Sequence, residues 1–289
     1  MNSYSHVQSA FLFPTYYIQS KVREIYTLWN ISKKYFHLRT CRIAPTYKAD
    51  RENRMTMRPT FAIGDIHGCF DELRSLLNLC RTHAGDAEHD FILLGDYVDR
   101  GPASREVIEY LMRVHSTGRS RFRCLRGNHD SMLSKAAAPS RSDADLMQWW
   151  GNGGEATLDA YRVDDPCDLP ADHIAWLGSL PVGVHENGRF FVHAGVRPSV
   201  SIGDQSEHDM LWIREPFLSS EAWHGALIVH GHTPTMTGAP EVRANRINLD
   251  TGACFGRPLT AAAFDDDRVG PSFFLNSDGL RFKVQSIDS

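Results

Sequence analysis

Five short clusters of metal-ligating side chains recur along the chain. They are Gly64-Asp65-Ile66-His67-Gly68, Gly95-Asp96-Tyr97-Val98-Asp99-Arg100-Gly101, Arg126-Gly127-Asn128-His129-Asp130, Val192-His193-Ala194-Gly195 and Gly231-His232-Thr233. Their leading residues, 65, 96, 128, 193 and 232, are spaced by 31, 32, 65 and 39 positions. Carboxylate, imidazole and amide donors together suit a divalent ion of borderline softness. Two such ions about 3.5–4 Å apart need separate outer ligands and a shared carboxylate between them. Asp65 and His67, two apart on one loop, can grip one ion. Asn128, His193 and His232 can grip the other, and Asp96 is the natural bridge. A lone Asp or His carries little information, but five such loops in order point to a two-metal centre.

The elements that must position these loops are legible around them. Apolar runs Phe61-Ala62-Ile63, Phe91-Ile92-Leu93-Leu94, Phe122-Arg123-Cys124-Leu125, Arg189-Phe190-Phe191-Val192 and Ala226-Leu227-Ile228-Val229 each end at or beside one cluster. They read as buried strands, with the glycine-containing clusters as tight loops at their ends. Between the first two, Phe70, Leu73, Leu76, Leu77, Leu79 and Cys80 predict a helix over 69–82. Residues 104–115 read the same way. Strand–helix–strand alternation implies a largely buried α/β sheet, with the site beyond its strand ends. Residues 131–180 break the pattern and predict a helical insertion beside the core.

Composition narrows the function classes. The 289 residues carry a formal charge of −4, unevenly spread: residues 1–60 hold ten Lys/Arg against three Asp/Glu, and the remainder 21 against 32. The acidic body argues against general nucleic-acid binding, which needs basic patches. Six cysteines without a CxxC pair suit a reduced, cytoplasmic protein. No run approaches the roughly 20 apolar residues that span a bilayer, so no membrane association is expected. A Cys-x5-Arg nucleophile loop occurs at none of the six cysteines. Residues 1–57 are basic and Tyr-rich, lack the later motifs, and read as an N-terminal extension, either dispensable or a targeting or docking segment, preceding a domain over 58–289.

Gly-Asp-Ile-His-Gly, Gly-Asp-Tyr-Val-Asp-Arg-Gly, Leu-Arg-Gly-Asn-His-Asp, His-Ala-Gly and Gly-His-Thr-Pro resemble the phosphoprotein phosphatase branch of the calcineurin-like metallophosphoesterases. The resemblance spans about residues 60–263. Its last two motifs are nearer to bacterial and phage serine/threonine phosphatases and symmetrical diadenosine tetraphosphatases than to eukaryotic enzymes. It implies an α/β (α+β) fold, a β-sandwich flanked by helices with the insertion at about 131–180. It also implies metal ligands at Asp65, His67, Asp96, Asn128, His193 and His232, and two divalent ions, Mn²⁺ first with Fe or Zn as alternatives. By the same resemblance His129 is the general acid, Asp99 its partner, Arg100 a phosphate-gripping arginine, and Asn128 lies near a phosphate oxygen. Arg214, in Leu-Trp-Ile-Arg-Glu, matches the second phosphate arginine of bacterial members. The implied reaction is in-line attack on phosphorus by a metal-bridging hydroxide. A phosphorylated protein is the first substrate reading, and symmetrical diadenosine tetraphosphate hydrolysis the second. A silent phosphate-recognition module is the third, disfavoured because every ligand and His129 are present. Trp149-Trp150-Gly151-Asn152 resembles a bacterial insertion that shapes the pocket, Asp250 belongs to a structural Asp-Thr-Gly strand, and His230 reads as a packed strand residue.

Overall fold

The computed structural model describes residues 58–114 and 120–282; the N-terminal extension expected over 1–57 lies outside them. Five strands coincide with the five apolar runs: β1 Thr60–Ile63, β2 His89–Leu93, β3 Ser120–Cys124, β5 Arg189–Val192 and β6 Leu227–His230. Others join them: β4 Gly183–Glu186, β7 Glu241–Val242, β8 Arg246–Asn248, β9 Thr260–Phe264, β10 Phe273–Asn276 and β11 Arg281–Phe282. They form two sheets, ordered β11-β10-β9-β1-β2-β3 and β4-β5-β6-β8-β7. The alternation alone pointed to one sheet; the structure has two, in the sandwich that the motif resemblance implied.

Both sheets are mixed. In the first, β1, β2 and β3 run parallel, while β9 and β10 add on antiparallel. In the second, β5, β6 and β8 run parallel. Successive side chains on a strand face opposite ways, and here both faces are covered. Ala62, Ile92, Leu94 and Leu125 meet Phe191, Val229, Ile247 and Leu249 between the sheets. The alternate residues Phe61, Ile63, Phe91 and Leu93 pack outward under helices. Burial on both faces is why these strands read as unbroken apolar runs rather than alternating ones.

Two helices cover the first sheet: α1 Phe70–Ala84, which buries Leu73, Leu76, Leu77 and Cys80, and α2 Ser104–Val114, which buries Val107, Ile108 and Leu111. The insertion follows as α3 Asn128–Ala136, α4 Asp143–Gly151, α5 Glu155–Tyr161, a 3₁₀ turn Pro166–Asp168 and α6 Ala171–Ser179. Ser142 caps α4: its side chain accepts from the Asp145 N–H while the Asp145 carboxylate accepts from the Ser142 backbone N–H. Trp149, Leu158, Tyr161, Leu169 and Leu177 of the insertion share one apolar cluster with α1, α2 and the first sheet. A short helix α7, Glu207–Trp212, leads to Ile213 and Phe217, which cover the second sheet's outer face. Among the described residues no helix is long and apolar enough to cross a membrane.

Candidate dinuclear metal centre

All five loops leave the C-terminal ends of β1, β2, β3, β5 and β6, strands that run parallel within their sheets. Polar side chains gathered there are nearly solvent-free: Asp65, His67, Asp96, Asn128, His129 and His193 are each at most 3 % exposed, and His232 is 7 % exposed. Local backbone strain marks the place. Of eight non-glycine residues with positive φ among the described residues, five are His67, Asp96, Asp99, Arg100 and His232. Such conformations persist only where surrounding contacts over-determine them, and they cluster at working sites.

Asp96 lies at the centre. Its Oδ2 is 3.4 Å from His67 Nε2 and its Oδ1 is 3.5 Å from His193 Nε2. Ligand atoms of His67, Asp96 and His129 converge on one side, and those of Asp65, Asp96 and His193 on the other, with Asp96 common to both groups. Asn128 Oδ1 is 2.8 Å from both His193 Nε2 and His232 Nδ1. Close approach needs glycine at 231: a Cβ there would stand 2.0 Å from Asp65 Oδ1. The His232 N–H reaches the same carboxylate, 3.0 Å from Oδ2.

The donor set fits cations on three grounds. First, Nδ1 of His67 faces the Val98 carbonyl at 2.8 Å and Nδ1 of His193 faces the Leu94 carbonyl at 2.9 Å. Those bonds set the tautomers that aim Nε2 lone pairs inward, the usual outer support of a ligating histidine. Second, His193 has oxygen acceptors at both nitrogens, while burial holds its pKa below the ordinary value. A neutral ring has one N–H for two acceptors, and a cation at Nε2 removes that conflict. Third, like charges are crowded. Burial, then the charges of Asp250 and Asp96, push the Asp65 carboxyl well above the usual carboxylate range. Burial also pushes Asp250 up to about 6. Against its own burial, the imidazoles of His193, His129, His67 and His232 hold Asp96 down. Burial lowers His67, and lowers His232 to about 3, so both rings are held neutral, each with a nitrogen lone pair. The donors are oxygen and nitrogen without thiolate, the chemistry of Mn, Fe or Zn.

Beside the cluster, Arg100 spans two rings: Nη1 donates to His67 Nε2 and Nη2 to His129 Nε2, each at 2.8 Å. His129 Nδ1 donates to Asp99 Oδ2 at 2.8 Å. The N–H of His129, in the first turn of α3, donates to Asp96 Oδ1 at 2.9 Å, so the positive end of the helix supports this central carboxylate. Arg214 differs: it lies just after α7, is exposed, and faces the cluster through its charge on His232. His230 is fully buried, edge-on to the Phe217 ring and 3.3 Å from Arg246 Nη1.

Several residues support the cluster in ways that the sequence did not signal. Asp130 accepts the N–H groups of Asp96, Tyr97 and Gly127 at 2.8–2.9 Å, tying two metal loops together. Asp250 is 3 % exposed and charge-coupled to Asp65. Trp149 was expected in the pocket wall, yet it is fully buried and its indole N–H donates to Asp99 Oδ1 at 3.0 Å. Trp150, its neighbour, is the outward-facing one at 43 % exposure.

Comparison with known proteins accords with this geometry. The family model of the calcineurin-like phosphoesterases matches residues 58–256. Serine/threonine-protein phosphatase 1 of Salmonella typhimurium is 30% identical over 214 residues, covering 71% of this chain and 91% of that protein. The symmetrical bis(5'-nucleosyl)-tetraphosphatase of Ralstonia nicotianae is 32% identical over 196 residues, 68% of this chain but 62% of its own length. The asymmetrical bis(5'-nucleosyl)-tetraphosphatase PrpE of Bacillus velezensis is 27% identical over 248 residues, 76% of this chain and 95% of that protein. With the family model spanning every loop that contributes to the cluster, this chain belongs to the calcineurin-like phosphoesterases and is a metal-dependent phosphatase.

Proposed function

We propose that the chain is a bacterial-type serine/threonine protein phosphatase working with two divalent ions, Mn²⁺ first among them. The observation that carries this reading is the His129–Asp99 pair, whose Nδ1···Oδ2 distance is 2.8 Å in a fully enclosed setting. A serine or threonine alkoxide leaves poorly unless it is protonated. A nucleoside polyphosphate fragment leaves as a weakly basic phosphate oxygen and needs a proton far less. A built proton donor therefore favours phosphate esters of alcohols.

In this mechanism Asp65 and His67 would hold one ion and Asn128, His193 and His232 the other, with Asp96 shared. Bound there, the ions supply an acidified water and neutralise phosphate charge. Arg100, already presenting both terminal nitrogens to the cluster, takes phosphate oxygens through paired charge-assisted bonds. Arg214 adds a second positive charge from the exposed side. With Arg100 drawn onto the phosphate, His129 protonated at Nε2 delivers that proton to the leaving oxygen while its Nδ1–H stays on Asp99. The test is to compare kcat/KM of the Mn²⁺-loaded protein on a phosphopeptide panel and on diadenosine tetraphosphate, with a chelated sample beside it. Higher kcat/KM on phosphoserine or phosphothreonine peptides supports the proposal. Preference for the dinucleotide assigns the tetraphosphatase reading instead, and undiminished activity after chelation overturns both.

A further inference from the structure

The Asp99 carboxylate is held from the helical insertion as well as by His129. Oδ2 accepts from His129, while Oδ1 accepts the Trp149 indole N–H at 3.0 Å and the Thr157 hydroxyl at 2.7 Å. The same Thr157 oxygen accepts the Asp99 backbone N–H at 2.9 Å, with Ser104 Oγ 3.2 Å from that nitrogen. A threonine hydroxyl has one hydrogen, and here it goes to the carboxylate. Ser104, 3.3 Å from Thr157 Oγ1, must then donate towards it. Asp99, Ser104, Trp149 and Thr157 are all fully buried, so none of these bonds exchanges freely with water.

The enclosure also fits its members closely. Asp99 sits at φ +70°, unfavourable for a side-chain-bearing residue, and both its backbone N–H and its carboxylate are tied to Thr157. The indole that reaches Oδ1 lies over Gly154, where a Cβ would come within 2.4 Å of its ring. The Gly153 carbonyl accepts the Arg100 N–H at 3.1 Å, so α4, α5 and the turn between them grip both residues of the Asp99-Arg100 pair. Burying polar groups in this way is costly unless each is bonded, and these bonds converge on one carboxylate whose other oxygen steers His129.

We infer that Trp149 and Thr157 are positioning residues for proton delivery: they orient Asp99, and through it His129, so the helical insertion is part of the acid. This rests on the reading of His129 as general acid. Losing one bond to a buried charged group typically costs about tenfold or more in a process that depends on it. The test compares Thr157→Val, nearly isosteric, Thr157→Ser, which restores the hydroxyl, and Trp149→Phe, each with bound metal and melting temperature measured. Thr157→Val should lower kcat about tenfold on a phosphoserine peptide and far less on p-nitrophenyl phosphate, whose leaving group needs little protonation. KM and metal content should hold, and Thr157→Ser should recover most of the loss. Added to Asp99→Asn, Thr157→Val should cause little further loss. Equal loss on both substrates, or no recovery with serine, overturns the inference and leaves Thr157 a packing residue. His129→Ala provides the separate control. If it shows leaving-group selectivity and Thr157→Val does not, the positioning role fails alone. If His129→Ala shows none, the acid assignment fails first.

Discussion

Replacing Gly231 with alanine is a one-atom test of the metal centre. The added Cβ would lie 2.0 Å from Asp65 Oδ1 and 3.2 Å from its Cγ, and the three heavy atoms nearest to it all belong to that carboxylate. Non-bonded contacts settle near about 3.5 Å, so the oxygen must retreat by more than ~1 Å. Metal–ligand bonds tolerate only ~0.2 Å, and a misplacement of ~1 Å in a reacting assembly costs about 10²-fold. Gly231→Ala should therefore weaken binding of one ion and lower kcat/KM about 10²-fold at limiting Mn²⁺. Metal titration by calorimetry and turnover of p-nitrophenyl phosphate read the two effects. Gly270→Ala, where a Cβ meets nothing within 4 Å, is the matched control and should bind and turn over as the parent does. A Gly231→Ala protein that holds both ions with parental affinity and turns over at the parental rate would refute Asp65 as a ligand.

Three other outcomes follow from the same geometry. His129→Ala should lower kcat about 10²–10⁴-fold on phosphopeptides and less on p-nitrophenyl phosphate, with metal content intact; loss of a metal would make His129 the ligand that its place beside His67 and Asp96 permits. Arg100→Ala should lower kcat/KM on every substrate and by more than Arg214→Ala, because Arg100 reaches two site histidines while Arg214 is exposed; an equal or larger Arg214 effect in the same kinetics contradicts that ranking. Burial, and then the charge of Arg246, lower His230 to about 3, against an ordinary value near ~6.5. Its ring stays neutral in the fold, so its contribution is complete above that ordinary value and is lost as pH falls below it, by about 1.4 kcal/mol per pH unit. Urea denaturation of the metal-free protein and of His230→Gln should show their stability difference shrinking at that rate between pH 6 and 4.5; a constant difference means His230 is not held neutral.

Much of the site could be read before any fold was known. Asp65, His67, Asp96, Asn128, His193 and His232 each follow an apolar run within a few residues, and runs buried on both faces are legible because nearly every position is apolar. That Asp96 is shared between two ligand groups follows from its loop lying on β2, between β1 and β3. Other features were invisible to local pattern. Ala261-Ala262-Ala263 has the composition of a helix but is a strand, because β1 and β10 pair with it on both sides and leave room for small side chains. Residues Trp149 and Thr157 meet Asp99 across 50 and 58 positions, and Asp250 reaches Asp65 where Gly64, after β1, packs against the backbone of Leu249 and Asp250, after β8. Periodicity reports which face of a helix or strand is buried; it does not report which buried group that face meets. The candidate ligands and their order were therefore legible in the sequence itself, through strand-end loops that carry their own chemistry. The partners that orient them were decided by the stacking of two sheets and a helical layer, because a hydrogen bond between distant residues exists only once packing has excluded water and brought donor and acceptor to about 3 Å.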